Sequence, residues 1–197
     1  MTITELYERM SNKEFQDPAT GNLFSNAYMY LYPPENENQI HDEILVIKER
    51  LKRPNNYLDV LILDIFDVFC AFLKQKKFGS KTLFDFFLEK ELQAPGKVNE
   101  SLIREAKSDG FFEFMNENIK LHFSEGDTDK KVYVIIHGFG SVFPYLRTSK
   151  FLSNFEKYFI GEKYKLILFY PGEVKDFYSL FNLLNDENPY RAIKLIY

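Results

Sequence analysis

A chain of 197 residues with 45% hydrophobic content, including 21 Phe and 13 Tyr, can bury one sizeable core but is too short for two full domains. With 27% of its residues charged, it has the composition of a globular protein and not of a disordered one. A net charge of −4, with no local concentration of Lys and Arg, excludes a duplex-DNA surface built on phosphate contacts. The expected organisation is therefore one domain over residues 1–197. The lone Cys70 lies in VFCAFL, where it has no intramolecular partner and reads as an inert core thiol. No apolar run approaches the roughly 18 residues that span a bilayer and the opening residues read as no signal peptide, so a cytoplasmic location with no membrane contact is expected.

Taken in order, residues 3–16 read as a polar helix with Ile3, Leu6, Tyr7 and Met10 on one face, followed by the turn DPATGN at 17–22. Residues 27–32 form a first strand that Pro33 and Pro34 end. Asn36 or Asn38 then caps a helix carrying Ile40, Ile44, Ile47 and Leu51 at helical spacing. A second strand covers 59–66, and Asp67 caps a helix over 68–77 that Gly79 closes. From 80 to about 121 the pattern predicts a helical insertion. It has Leu83, Phe84, Phe87 and Leu88 on one face, a break at 94–97, and a second amphipathic stretch with Leu102, Ile103, Phe111, Phe114 and Ile119.

After a charged loop at 125–131, residues 132–136 run apolar without alternation, as a strand buried on both faces does. Gly138 and Gly140 permit a sharp turn, Pro144 fixes its exit, and Thr148 or Ser149 caps a helix bearing Phe151, Leu152, Phe155 and Phe159, with Gly161 at its end. A fourth strand at 165–170 is ended by Pro171 and Gly172. A helix holding Phe177, Leu180, Phe181 and Leu184 follows, then a fifth strand at 192–197. Strands alternating with helices predict an α/β fold of three layers around a mostly parallel sheet of about five strands, with the helical insertion between strands two and three.

Ligands of open α/β sheets sit at the carboxyl ends of the strands, which makes the stretch 131–154 the candidate functional edge. The candidate residues there are Gly138, Gly140, Ser141, Tyr145 and Arg147, with Glu173 after the fourth strand. The His137-Gly138 turn resembles the oxyanion-hole turn of α/β-hydrolases. No Gly-x-Ser-x-Gly elbow exists, however, and His41 and His122 both precede this strand. Ser141 then reads as a turn hydroxyl. Gly-x-Gly-Ser at a strand end could present amides to a phosphate, but the Walker lysine is missing, so no nucleotide hydrolysis is expected. Three scattered histidines and one apolar cysteine give no metal-ligand spacing, and Asp64 and Asp67 read as helix caps. Glu35 and Glu37 after the first strand could converge with Glu173 on one rim, or stand as solvated acids. No catalytic residue, cofactor or metal is expected.

Three stretches, HGFGSVFPYLRTSKFLSNF, LILFYPGE and SLFNLLNDENPYRAIKLI, resemble the BrxB family of BREX phage-defence systems. Upstream, YLYPPENE and LDVLILDIFDVF match weaker landmarks, so the likeness spans nearly the whole chain. The family motif falls on Gly138, Gly140, Ser141, Pro144 and Arg147, on Pro171, Gly172 and Glu173, and on Tyr190 and Arg191. It transfers as a shared pattern and not as catalytic residues, because no enzymatic activity is established for the family. The resemblance implies a small cytoplasmic protein encoded beside a methyltransferase, a large ATPase and a PglZ-type protein of the alkaline phosphatase superfamily. The expected function is a non-catalytic binding and assembly subunit that docks on the PglZ-type protein, with the ATPase and methyltransferase as further partners. Phe139, Phe143, Tyr145, Phe177 and Tyr178 would supply aromatic anchors beside Arg147. The alternative is a regulatory nucleotide- or anion-binding α/β module, with 138–147 as a degenerate phosphate loop completed by Arg147.

Overall fold

The computed structural model describes residues 1–17, 26–54, 56–124, 130–159, 164–174, 178–180, 184–185 and 193–194. The chain opens with α1 (Ile3–Ser11), where a capping box joins Thr2 and Glu5: the Glu5 amide donates to Thr2 Oγ1 and the Thr2 amide to Glu5 Oε2. Leu6 and Met10 are its buried positions. Asn12 caps α2 (Lys13–Gln16). The strand β1 (Ala27–Tyr32) ends before Pro33, and a 3-10 turn (Pro34–Asn36) leads directly into α3 (Glu37–Leu51), which buries Ile40, Ile44, Ile47 and Leu51 as their spacing predicts. Asn36 stands at the cap position, but its side chain makes no capping bond.

The second strand is β2 (Leu58–Asp64), shorter than expected because the helix after it starts earlier. Asp64, and not Asp67, caps α4 (Ile65–Gln75): its Oδ1 accepts from the amides of Phe66 at 2.8 Å and Asp67 at 3.2 Å. Two short strands, β3 (Lys77–Phe78) and β4 (Lys81–Thr82), form a hairpin through Gly79. Thr82 caps α5 (Leu83–Glu91). The expected second amphipathic stretch is two helices, α6 (Pro95–Ala106) and α7 (Asp109–Ser124). They part at Lys107 and Ser108, where the Ser108 hydroxyl donates to the Glu105 carbonyl and accepts from the Phe111 amide.

β5 (Lys130–His137) carries the unbroken apolar run, and Val132, Tyr133, Val134, Ile135 and Ile136 are all fully buried. After it come the short α8 (Phe139–Val142), then α9 (Thr148–Phe159). Thr148 lies inside the first turn of α9, and its buried hydroxyl has no hydrogen-bond partner among the described residues, so it is not seen to act as the expected cap. Gly161 lies outside the described residues. β6 (Lys165–Val174) runs through Pro171 and Gly172 instead of ending there, with Pro171 beside Tyr32. Past Leu168 the strand no longer has β5 as a neighbour, and a proline is tolerated where the ladder has one side only. In place of the helix expected around Leu180 and Leu184 stand β7 (Tyr178–Leu180), antiparallel to β6, and β8 (Leu184–Asn185), antiparallel to β7. The spacing of Phe177, Leu180, Phe181 and Leu184 is helical, and pairing with β6 outweighs it. β9 (Ile193–Lys194) pairs with β1.

The four long strands are parallel in the order β2–β5–β6–β1, with β9 outside β1. The chain jumps from β1 to the far edge at β2 and then steps back through β5 to β6. Right-handed crossovers in opposite directions must use opposite faces of the sheet. Accordingly α1 and α3 cover Tyr28, Tyr30, Val60, Tyr133, Ile135, Ile167 and Phe169. Phe69, Phe111, Phe112, Met115 and Phe151 from α4, α7 and α9 cover Met29, Val134, Ile136, Leu166 and Leu168 on the other side. The result is a three-layer α/β fold. Lys165, wholly buried where β6 begins, sits with Nζ 4.5 Å from the Phe15 ring centroid and 3.4 Å from the Tyr28 hydroxyl. These contacts offset its desolvation, which lowers its pKa.

Candidate functional site

At the carboxyl end of β5 the chain reverses at Gly138, whose φ of +81° is left-handed. A Cβ there would lie 2.7 Å from Asp64 Oδ1, so this position needs glycine both for its angle and for its space. The chain then winds tightly. The amides of Ser141 and Val142 donate to the Gly138 carbonyl at 3.1 and 3.2 Å, and those of Tyr145 and Leu146 to the Val142 carbonyl. Two of the amides that an anion site would use are thereby spent on the loop itself.

This winding sorts the side chains. Phe139, Val142 and Leu146 are core, so Phe139 is not available as a surface anchor. Phe143 and Tyr145 are half-buried and packed against that core. Ser141, Pro144 and Arg147 are exposed, and Gly140 is half-buried within α8. Of the remaining expected positions, the Glu173 backbone pairs with Ser179. The side chains of Glu173 and Tyr178 lie outside the described residues, as do Phe177, Tyr190 and Arg191.

Beneath the loop the structure assembles a polar cluster that local patterns do not reveal. Asp64 caps α4 with one oxygen and presents the other to His137 Nδ1 at 3.5 Å. His137 is 4% exposed, its Nε2 is buried without a hydrogen-bond partner among the described residues, and the ring of His41 meets it edge-on with centroids 5.3 Å apart. At the end of β1 the Tyr32 hydroxyl donates to Glu37 Oε2 at 2.6 Å. Burial pushes the Glu37 carboxyl above the usual carboxylate range, the Tyr32 hydrogen bond opposes this, and the charge of Asp64 adds to the rise. Glu35 remains exposed in its 3-10 turn. Of the acids expected on one rim, Glu37 lies in this cluster and Glu35 does not, while the side chain of Glu173 lies outside the described residues. The available sequence signal was the polar or hydroxyl residue that closes each apolar strand: Tyr32, Asp64 and His137.

Chemically, Asp64 and His137 resemble half of a base-orienting pair, but no hydrogen bond among the described residues links Ser141 to His137. Among the described residues no group of three His, Cys, Asp or Glu is placed to hold a metal ion, and no helix is long and apolar enough to cross a membrane. The cluster does bear on stability. Burial lowers the His137 pKa below its ordinary 6.5, against the opposing charge of Asp64 and with the lowering effect of His41. The unfolded chain therefore binds the proton at higher pH than the folded one, so stability is complete above about pH 6.5 and is lost as pH falls through the folded-state value. Urea unfolding on either side of that pH is expected to show this loss, and His137→Gln is expected to flatten it. An unchanged slope in the variant would contradict the assignment.

The BrxB family model, described as BREX protein BrxB, matches residues 61–195, from within β2 through the α8 loop and all of β6. A protein of Bacillus cereus (strain H3081.97) named BREX protein BrxB is 25% identical over 196 residues, which cover 98% of this chain and 95% of that protein. No solved structure matches the chain. A family match over more than half of the chain shows that the chain belongs to the BrxB family of BREX phage-defence proteins.

Proposed function

We propose that this protein is a non-catalytic, cytoplasmic binding and assembly subunit of its BREX system, and that it docks on a PglZ-type partner through residues 141–147. The observation that carries the reading is how the sheet's carboxyl edge uses its groups. Asp64 is engaged as a helix cap and Glu37 by Tyr32, while the exposed loop offers Ser141, Pro144 and Arg147 beside the half-buried rings of Phe143 and Tyr145. An aromatic ring held by a core on one side, with an arginine next to it, is the composition of an interface hot spot. The PglZ-type partner is supplied by the family resemblance, as are the ATPase and methyltransferase as further partners.

Co-expression with the neighbouring PglZ-type protein, followed by size-exclusion chromatography, is expected to give one co-eluting species. Two separate peaks at micromolar concentration would contradict the proposal. Tyr145→Ala and Arg147→Ala are each expected to weaken the complex by roughly 2 kcal/mol, about thirtyfold in Kd.

A further inference from the structure

We infer that His41 and His137 form a binding site for a divalent transition-metal ion of the kind that prefers imidazole ligands, such as zinc, at the carboxyl end of β5. His137 supplies the first observation. It closes β5 almost wholly buried, and its Nε2 has no hydrogen-bond partner among the described residues. A buried polar nitrogen of this kind calls for a partner. Asp64 decides which ring nitrogen can take one. Its Oδ2 lies 3.5 Å from His137 Nδ1, so the carboxylate favours the proton on Nδ1 and leaves the lone pair on Nε2. A carboxylate behind one ring nitrogen, with the other nitrogen unprotonated, is how metal-ligating histidines are oriented.

His41, from the second turn of α3, supplies the second ligand. Its ring centroid lies 5.3 Å from that of His137, with the ring planes at 64°. Two imidazoles that share one tetrahedral ion at about 2.0–2.1 Å hold their ring centres roughly 5 Å apart, so the observed separation suits a shared ion. His41 is exposed, which gives an ion its route to the buried nitrogen and lets the outer ring turn to meet it. The surroundings are acidic: the charges of Asp64 and Asp67 act on His137, and that of Asp64 acts on Glu37. A cation is favoured there, and imidazole donors select zinc, copper or nickel over magnesium and calcium. Because no group of three His, Cys, Asp or Glu is placed to hold an ion among the described residues, two imidazoles carry it and water fills its other positions.

Calorimetric titration of the chelator-treated chain with zinc chloride is expected to show saturable binding of one ion per chain, and titration with magnesium chloride is expected to show none. His41→Ala, at an exposed position, is expected to keep the fold by circular dichroism and to lose this binding. Asp64→Asn retains a side chain that caps α4 as well as Asp does, and it is expected to weaken zinc binding by about 10–100-fold through the lost charge behind Nδ1. With three histidines in the chain, ring nitrogen NMR resolves which ones respond. Zinc is expected to shift His41 and His137 and to leave His122, which lies beside Asp59, unmoved. Absence of saturable zinc binding, wild-type affinity in His41→Ala, or a zinc shift at His122 in place of His137 would each overturn the inference.

Discussion

Replacing Gly138 by alanine is expected to destabilise the protein by about 3 kcal/mol, from two sources that act together. The first is the backbone: at φ +81° a side chain is strained by roughly 1–3 kcal/mol. The second is Asp64, because the added Cβ would stand 2.7 Å from the oxygen that accepts the Phe66 and Asp67 amides. Moving that carboxylate removes a helix cap worth about 1 kcal/mol. Gly79 supplies the control, since its φ of +64° is also left-handed but nothing lies within 4 Å of its would-be Cβ. Gly79→Ala is therefore expected to show the backbone part alone. Urea denaturation of both variants separates the two terms, and equal losses would mean that Asp64 does not fill the space over Gly138.

Phe151→Ala is expected to cost about 4 kcal/mol, in the range of buried Phe-to-Ala changes. Phe151 is 0% exposed, and its ring meets Phe139 edge-on at 5.3 Å, Phe155 at 5.7 Å and Phe112 at 6.0 Å. It thus ties α9 to α8 on one side and to α7 on the other. A chain of this size loses roughly 2–4 °C in Tm per kcal/mol, so a fall of about 8–16 °C is expected by calorimetry. A loss below about 1 kcal/mol would mean that the space collapses freely and that α8 is not held by this packing. Because α8 begins the loop proposed to dock, the variant is also expected to weaken partner binding near its own melting range.

The same elements show what was legible in the sequence. The strands β1, β2 and β5 and the apolar stripe of α3 follow from periodicity, because each buries its apolar residues in the local pattern that the chain displays. The left-handed turn at Gly138 follows from the glycine itself. Asp64 and Asp67 both fit the pattern of a cap for α4, and only the close of β2 at Asp64 decides between them. β6 passes Pro171, and β7 replaces a helix, because strand pairing supplied by β1 and β6 outweighs local propensity. The cluster of Tyr32, Glu37, His41, Asp64 and His137 draws on three strand ends and one helix start. No spacing along the chain carries it, since it exists only once β2 and β5 are side by side and α3 lies across them. Likewise, exposure alone separated the expected aromatic anchors, leaving Phe143 and Tyr145 at the surface and Phe139 in the core.

Calorimetric titration of the purified PglZ-type protein with this chain tests the proposed docking most directly. The proposal predicts saturable binding at micromolar Kd or tighter, weakened about thirtyfold by Tyr145→Ala and again by Arg147→Ala, with each variant folded at the temperature of the titration. Absence of heat and of binding with the folded wild-type chain would contradict the assembly role, and wild-type affinity in both variants would contradict the loop as the docking surface.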